Sequence, residues 1–235
     1  MFKFLSSSNV YLFVESVIKF INSIFFLILT IGLTFALVLS PPDYLQGESV
    51  RIMYVHVPSA WIGLSCFTFI ALLSILNFLF KIKNSFLVSK SLAPIGLLFT
   101  CLAIATGSLW GQPTWGTWWA WDARLTSMII LMFFYIFYIL SLKLINDERV
   151  AVKISSIIAI IGAINLPIIK YSVDWWTTLH QPASIKLSGE SSIHASMMLP
   201  LLLMLLVLLL YCALIFLMKY KTEIIRIKRK NINRL

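Results

Sequence analysis

Six runs of apolar residues dominate the chain, at about 17–39, 57–80, 91–109, 125–145, 152–170 and 196–218, and charged residues fall at their ends or in the links between them. A helix needs about 20 apolar residues to cross a hydrocarbon core about 30 Å thick. The pattern therefore predicts an all-α integral membrane protein of six transmembrane helices, read as a single domain over residues 1–235. Short charged links alternate with longer ones near 40–56, 110–124 and 171–195. In the fifth run, Asn165 and Pro167 predict a kink near one end, a break that membranes tolerate where protein buries the freed backbone groups. The first run is followed by Pro41-Pro42-Asp43 rather than by the small residues of a cleavage site, which predicts a retained helix.

Composition agrees with the pattern: 60% of the 235 residues are hydrophobic and 12% charged, with a mean hydropathy of +0.94. The net charge of +10 changes meaning once it is placed along the chain. Lys3, Lys19, Lys81, Lys83, Lys90, Lys143, Arg149, Lys153 and the bases from Lys219 to Arg234 gather on one side, leaving Arg51, Arg124, Lys170 and Lys186 on the other. Lys and Arg mark cytoplasmic links, so both termini are expected to be cytoplasmic and the longer links to face outward. The charge then reflects topology and a basic tail against anionic lipid headgroups, with no nucleic acid as partner. Cys66, Cys101 and Cys212 each stand alone in an apolar run, as packing residues do.

The links carry the candidate chemistry. Between Trp110 and Arg124 the sequence reads W-G-Q-P-T-W-G-T-W-W-A-W-D-A-R. An interfacial aromatic belt would explain some of these rings, but belts mark both interfaces, and all eight tryptophans fall at or near the outward links. A short amphipathic helix over Thr114–Arg124, between the third and fourth spans, would put Trp115, Trp118, Trp119 and Asp122 on one face at three- and four-residue spacings, with Trp121 at its edge. Such a platform suits a flat aromatic ligand, since each stacked pair adds about 0.5–1.5 kcal/mol beyond area burial.

Three histidines are present, at 56, 180 and 194. His56 in Y-V-H-V-P and His180 in T-L-H-Q lie at similar depth on different outward links, as the two axial ligands of a haem iron would. His194 has no aromatic neighbours in sequence and is expected to be a capping or surface residue. Arg51 and Arg124 are the bases placed to meet haem propionates, through bidentate pairing with carboxylate. The alternatives stay open here: Arg124 pairing with Asp122 or a headgroup, and Asp122 capping the local helix rather than touching ligand. There is no C-x-x-C-H for covalent attachment. Neither G-x-x-x-x-G-K-[ST] nor H-E-x-x-H occurs. An energy-driven process would thus take its ATP hydrolysis from another chain, and the protein is not expected to be an enzyme. An electron-transfer cytochrome b type membrane subunit and a transporter of some other aromatic solute are the competing readings.

W-G-T-W-W-A-W-D at 115–122 resembles the signature of the tryptophan-rich WWD haem-handling proteins of cytochrome c maturation. R-I-M-Y-V-H-V-P at 51–58, A-P-I-G at 93–96, T-G-S-L-W-G at 106–111, N-L-P-I-I at 165–169 and Y-S-V-D-W-W-T-T-L-H-Q at 171–181 narrow the resemblance to the haem exporter protein C (CcmC) type, over about residues 40–181. The resemblance implies non-covalent haem b held at the outer face of an energy-transducing membrane, the bacterial inner membrane or its mitochondrial counterpart. It also implies axial ligation by His56 and His180, hand-over to the membrane haem chaperone CcmE, and association with the ABC subunits CcmA and CcmB and the small subunit CcmD.

Overall fold

A computed structural model of the chain describes residues 7–80, 83–182, 185 and 193–232; the expectations placed on Lys3, Lys81, Lys186 and Arg234 lie outside them. Seven α-helices follow one another: α1 (Ser7–Thr34), α2 (Met53–Phe80), α3 (Lys83–Trp115), α4 (Ala123–Leu144), α5 (Glu148–Ala163), α6 (Asn165–Trp175) and α7 (Ala195–Ile232). A π-helical turn, Phe35–Leu39, extends α1, and a 3-10 turn, Glu48–Ile52, leads into α2. They make six helical stretches long and apolar enough to cross a membrane, α5 and α6 together forming the fifth.

The break between α5 and α6 falls where Asn165 and Pro167 predict it. Pro167 sits in the first turn of α6, where its missing N–H costs nothing. The buried Asn165 side chain donates to the Ser127 carbonyl on α4 at 2.8 Å, which fixes the kink against its neighbour. Helix α2 begins earlier than its apolar run, so Pro58 lies one turn inside and His56 stands on the first turn.

Helices α2 to α5 surround the main core, in which Phe67, Ile70, Phe99, Leu131 and Tyr135 are sealed from the surface. Between membrane helices lipid is as apolar as leucine, so close packing and hydrogen bonds hold the interfaces. Tyr135 supplies both: its hydroxyl donates to the Gly63 carbonyl at 2.7 Å, and its ring lies edge-on to Phe67 at 4.9 Å between centroids. Gly96 makes room for it, as a Cβ there would stand 2.0 Å from the Tyr135 hydroxyl. At the end of the bundle away from the tryptophans, Glu223 binds Lys90 at 2.7 Å and Arg226 at 2.6 Å, and Glu15 binds Lys221 at 3.3 Å and Lys19 at 3.4 Å. These pairs tie α7 to α3 and α1.

Replacing a helical glycine by alanine ordinarily favours the helix by about 1 kcal/mol; at position 96 the sign reverses. Gly96→Ala is expected to lower the melting temperature in detergent more than Tyr135→Phe, which forfeits one hydrogen bond worth about 1 kcal/mol. An unchanged or raised melting temperature for Gly96→Ala would contradict the packing described.

Candidate functional site at the tryptophan-bearing end

The last turns of α3 build one wall of the site. Ala103, Thr106, Gly107 and Trp110 recur at three- and four-residue spacing and so form a stripe, which receives the His56 ring from α2. His56 Nδ1 lies 2.9 Å from the Ala103 carbonyl and 3.2 Å from the Thr106 hydroxyl, and the ring meets Trp110 edge-on at 5.7 Å. A Cβ at Gly107 would stand 2.8 Å from His56 Cε1, so only glycine lets the imidazole seat against the helix. Trp110 is held in turn by its indole N–H, which donates to the Gln46 side chain at 2.9 Å. That loop is shaped by Asp43, whose carboxylate accepts from the backbone N–H of Leu45 and Gln46 at 2.9 Å each.

The expected amphipathic helix over Thr114–Arg124 is absent. Helix α3 runs on to Trp115 and stops at Gly116, whose φ of 75° is the left-handed conformation that glycine adopts freely. Residues 116–122 then turn back without helical structure. Ser108 donates to the Trp118 carbonyl at 2.7 Å and Thr117 to the Trp119 carbonyl at 2.9 Å, occupying groups that a helix would have paired. Asp122 ends the segment as the N-cap of α4, accepting from Leu125 N–H at 2.8 Å; of the roles open to it, this is the one observed.

The shared face of Trp115, Trp118, Trp119 and Asp122 therefore does not exist as a helical face. Trp115 instead packs beside His180 at 6.0 Å. Trp118 and Trp121 are 57% and 79% exposed, and Trp119 packs edge-on to Trp121 at 5.6 Å. The indole N–H of Trp119 and the second carboxylate oxygen of Asp122 are buried with no hydrogen-bond partner among the described residues. Unpaired buried polar atoms are rare in native structures, and these two give the segment unused donor and acceptor capacity.

His180 reaches the same place from the opposite wall. After α6 ends at Trp175, the chain turns through Thr178, whose hydroxyl accepts from His180 N–H at 2.9 Å and donates to the His180 carbonyl at 3.2 Å. The His56 and His180 rings stand 6.4 Å apart between centroids, tilted by 35°. Arg124, on the first turn of α4, braces this wall: Nε donates to the Ser172 hydroxyl at 3.2 Å, one terminal nitrogen to the Lys170 carbonyl at 3.1 Å, and the other lies 3.2 Å from His180 Nδ1. Burial pushes the His180 imidazole below its ordinary pKa; the Gln181 carbonyl opposes this, the Arg124 charge adds to it, and Asp122 opposes it.

The structure thus brings together His56, His180, Trp115 and Arg124 from the sequence-predicted set. Arg51 is engaged elsewhere, donating to the Ala36 carbonyl at 3.0 Å and to Glu48 at 2.5 Å, and it lines a cleft of about 270 Å³ with Leu37, Val55 and Thr106. His194 is exposed and its ring accepts from Ser196 N–H at 3.3 Å at the start of α7, the capping role expected of it. Sequence reasoning missed the seat formed by Ala103, Thr106 and Gly107, although the stripe running back from Trp110 carried the signal.

The heme exporter protein C family model matches residues 1–234. The chain belongs to this family. A heme exporter protein C of Bradyrhizobium diazoefficiens is 42% identical over 200 residues, covering 85% of this chain and 76% of that protein. The Escherichia coli K12 protein of the same name is 39% identical over 203 residues, covering 86% and 82%. A ccmC-like mitochondrial protein of cytochrome c biosynthesis from Marchantia polymorpha is 48% identical over 164 residues, covering 70% and 69%. The family is one of membrane-embedded components of haem export for cytochrome c maturation, and its relatives here are bacterial and mitochondrial.

The electrostatics of His180 set a pH dependence. Its folded-state pKa lies below that of a free imidazole, about 6.5. The unfolded chain takes up the proton first as pH falls through that range, and the contribution to stability is lost toward acid. In an NMR titration the His180 ring is expected to protonate below about pH 6.5; a midpoint at or above it would contradict the burial described.

Proposed function

We propose that this protein binds haem b without a covalent bond between His56 and His180 and passes it to the haem chaperone CcmE at the outer face of the membrane. The observation that carries the reading is the spacing of the two imidazoles. An imidazole nitrogen bonds a metal at about 2 Å, so two rings on opposite sides of one metal have centroids about 6 Å apart, and here they are 6.4 Å apart. No hydrogen bond occupies Nε2 of either ring among the described residues. His56 matches the habit of metal-binding histidines, whose other ring nitrogen donates to a carbonyl and fixes the tautomer.

The tryptophans divide by exposure. Trp110 and Trp115 back the imidazoles from inside, where they bound the space for a porphyrin. Trp118 and Trp121 present open ring surface, suited to the exposed porphyrin edge and to the chaperone. Arg124 lies beside His180 as the base placed for a propionate, and Arg51, in the cleft with Val55 and Thr106, is the other candidate. The outer-face assignment rests on the Lys and Arg bias, which leaves only Arg51, Arg124, Lys170 and Lys186 on the tryptophan side and puts both termini in the cytoplasm.

Haem is cargo here, so the chain is a transfer protein rather than an enzyme. The sequence holds no phosphate-binding loop, and ATP hydrolysis belongs to CcmA, with CcmB and CcmD completing an ABC-type complex. The bacterial inner membrane, or the mitochondrial inner membrane, is its place.

The absorption spectrum of the purified protein loaded with haem tests this. The wild type is expected to show a low-spin, bis-imidazole haem b signal that His56→Ala and His180→Ala each abolish and His194→Ala retains. An intact low-spin signal in either of the first two variants removes that residue as a ligand. Trp118→Ala/Trp121→Ala is expected to keep the signal while slowing transfer to purified CcmE; unchanged transfer would remove the exposed rings from docking.

A further inference from the structure

His180 Nδ1 has two neighbours that make opposite demands. The Gln181 carbonyl, 3.0 Å away, accepts only and requires a proton on Nδ1. The Arg124 guanidinium, 3.2 Å away, donates only and requires a lone pair there. One nitrogen of a neutral imidazole satisfies one of them at a time, and the choice decides whether Nε2 carries a proton or a lone pair. With Arg124 engaged, the proton sits on Nε2 and the ring has no lone pair for a metal. With Gln181 engaged, Nε2 is bare.

We propose that Arg124 is a positioning residue that sets the tautomer of His180, holding it unable to ligate while the site is empty and releasing it when a carboxylate-bearing ligand draws the guanidinium away. The inference rests on the bis-histidine reading above. Arg124 is placed for such a switch because its present partners are all neutral: the Ser172 hydroxyl, the Lys170 carbonyl and the imidazole. No carboxylate lies within ion-pair distance of it among the described residues. Both bonds have an ionised donor, but a carboxylate adds a full opposing charge and accepts from the guanidinium bidentately, so a propionate outcompetes the imidazole nitrogen for one arm of the guanidinium. Nε2 then gives its proton to water and Nδ1 takes one from water, with no change in the charge of the ring. The reverse exchange favours release, since loss of the propionate contact returns Arg124 to Nδ1 and the proton to Nε2.

His56 is wired the other way. Its Nδ1 faces the Ala103 carbonyl, and the one hydroxyl beside it, that of Thr106, already donates to the Leu102 carbonyl at 2.6 Å. The Nδ1–H tautomer is therefore fixed, and His56 is the permanent ligand while His180 is the conditional one.

Ring 15N spectra of the haem-free protein labelled at histidine decide the matter, with assignment by His56→Gln, His180→Gln and His194→Gln. In the wild type, His56 is expected to carry its proton on Nδ1 and His180 on Nε2. Arg124→Met, which removes the donor, is expected to move the His180 proton to Nδ1 and to slow haem loss to apomyoglobin. A wild-type His180 protonated on Nδ1 overturns the proposal, and so does a lower melting temperature in Arg124→Met with the tautomer unchanged, which would make Arg124 a structural clamp. The wild-type measurement stands even if the variant does not fold. Because the tautomer is read without haem, an absent low-spin signal in the wild type would sink the bis-histidine reading and leave this result distinguishable from it.

Discussion

A buried imidazole has to have one ring nitrogen satisfied by protein before the other is available for anything else, and the tryptophan-bearing end of the bundle is arranged around that requirement. An unpaired polar group in a low-dielectric surrounding costs several times what a paired one contributes. His56 meets the condition through a backbone carbonyl in the interior of α3, and reaching it brings the first turn of α2 against the last turns of α3 at Gly107. Close approach of these two helices is therefore dictated at the site and not only in the core below it. The same approach seats Trp110 against the ring, whose indole N–H then anchors the loop bearing Gln46.

The helical architecture was legible because lipid imposes it: six apolar runs at spanning length became six spans. The kink at Asn165 and Pro167 was legible for a similar reason, since proline removes a donor and asparagine supplies one. The two histidines were legible as a pair because the sequence holds only three and these two flank aromatic links. What failed was the helix predicted across the tryptophans. Three- and four-residue spacing is equally present in a segment that is not helical, and here the left-handed Gly116 and the N-capping Asp122 override it. Those two residues bound a segment whose carbonyls are taken by Ser108 and Thr117, and neither hydroxyl advertises such a bond in the sequence. The contacts of Arg124 were illegible for a different reason, because Ser172 and the Lys170 carbonyl come from α6, far along the chain.

Losing that helix changes how the tryptophans work. On one helical face they would have formed a single sheet of rings against one ligand surface. Instead Trp115, at the end of α3, packs beside His180, while Trp118 and Trp121 in the turned-back segment stand open. Ring surface is thus divided between packing against an imidazole and standing open. In the proposed function such a division matters, because a site that sealed all of its aromatic surface around the porphyrin would leave the chaperone no edge to grip.

The two ends of the bundle also treat charge differently. At the far end, Glu15 and Glu223 each hold two bases, and these pairs lock α7 to its neighbours. At the tryptophan end, Arg124 hydrogen-bonds only neutral acceptors, and Asp122 and Asp174 act on its charge from beyond ion-pair distance. Between the ends, Phe67, Phe99, Leu131 and Tyr135 fill the described core. The far end carries most of the bases, so what sets the tryptophan end apart is a guanidinium with no carboxylate at ion-pair distance among the described residues. In the proposed function, that guanidinium gives a carboxylate-bearing cargo a partner directly beside His180.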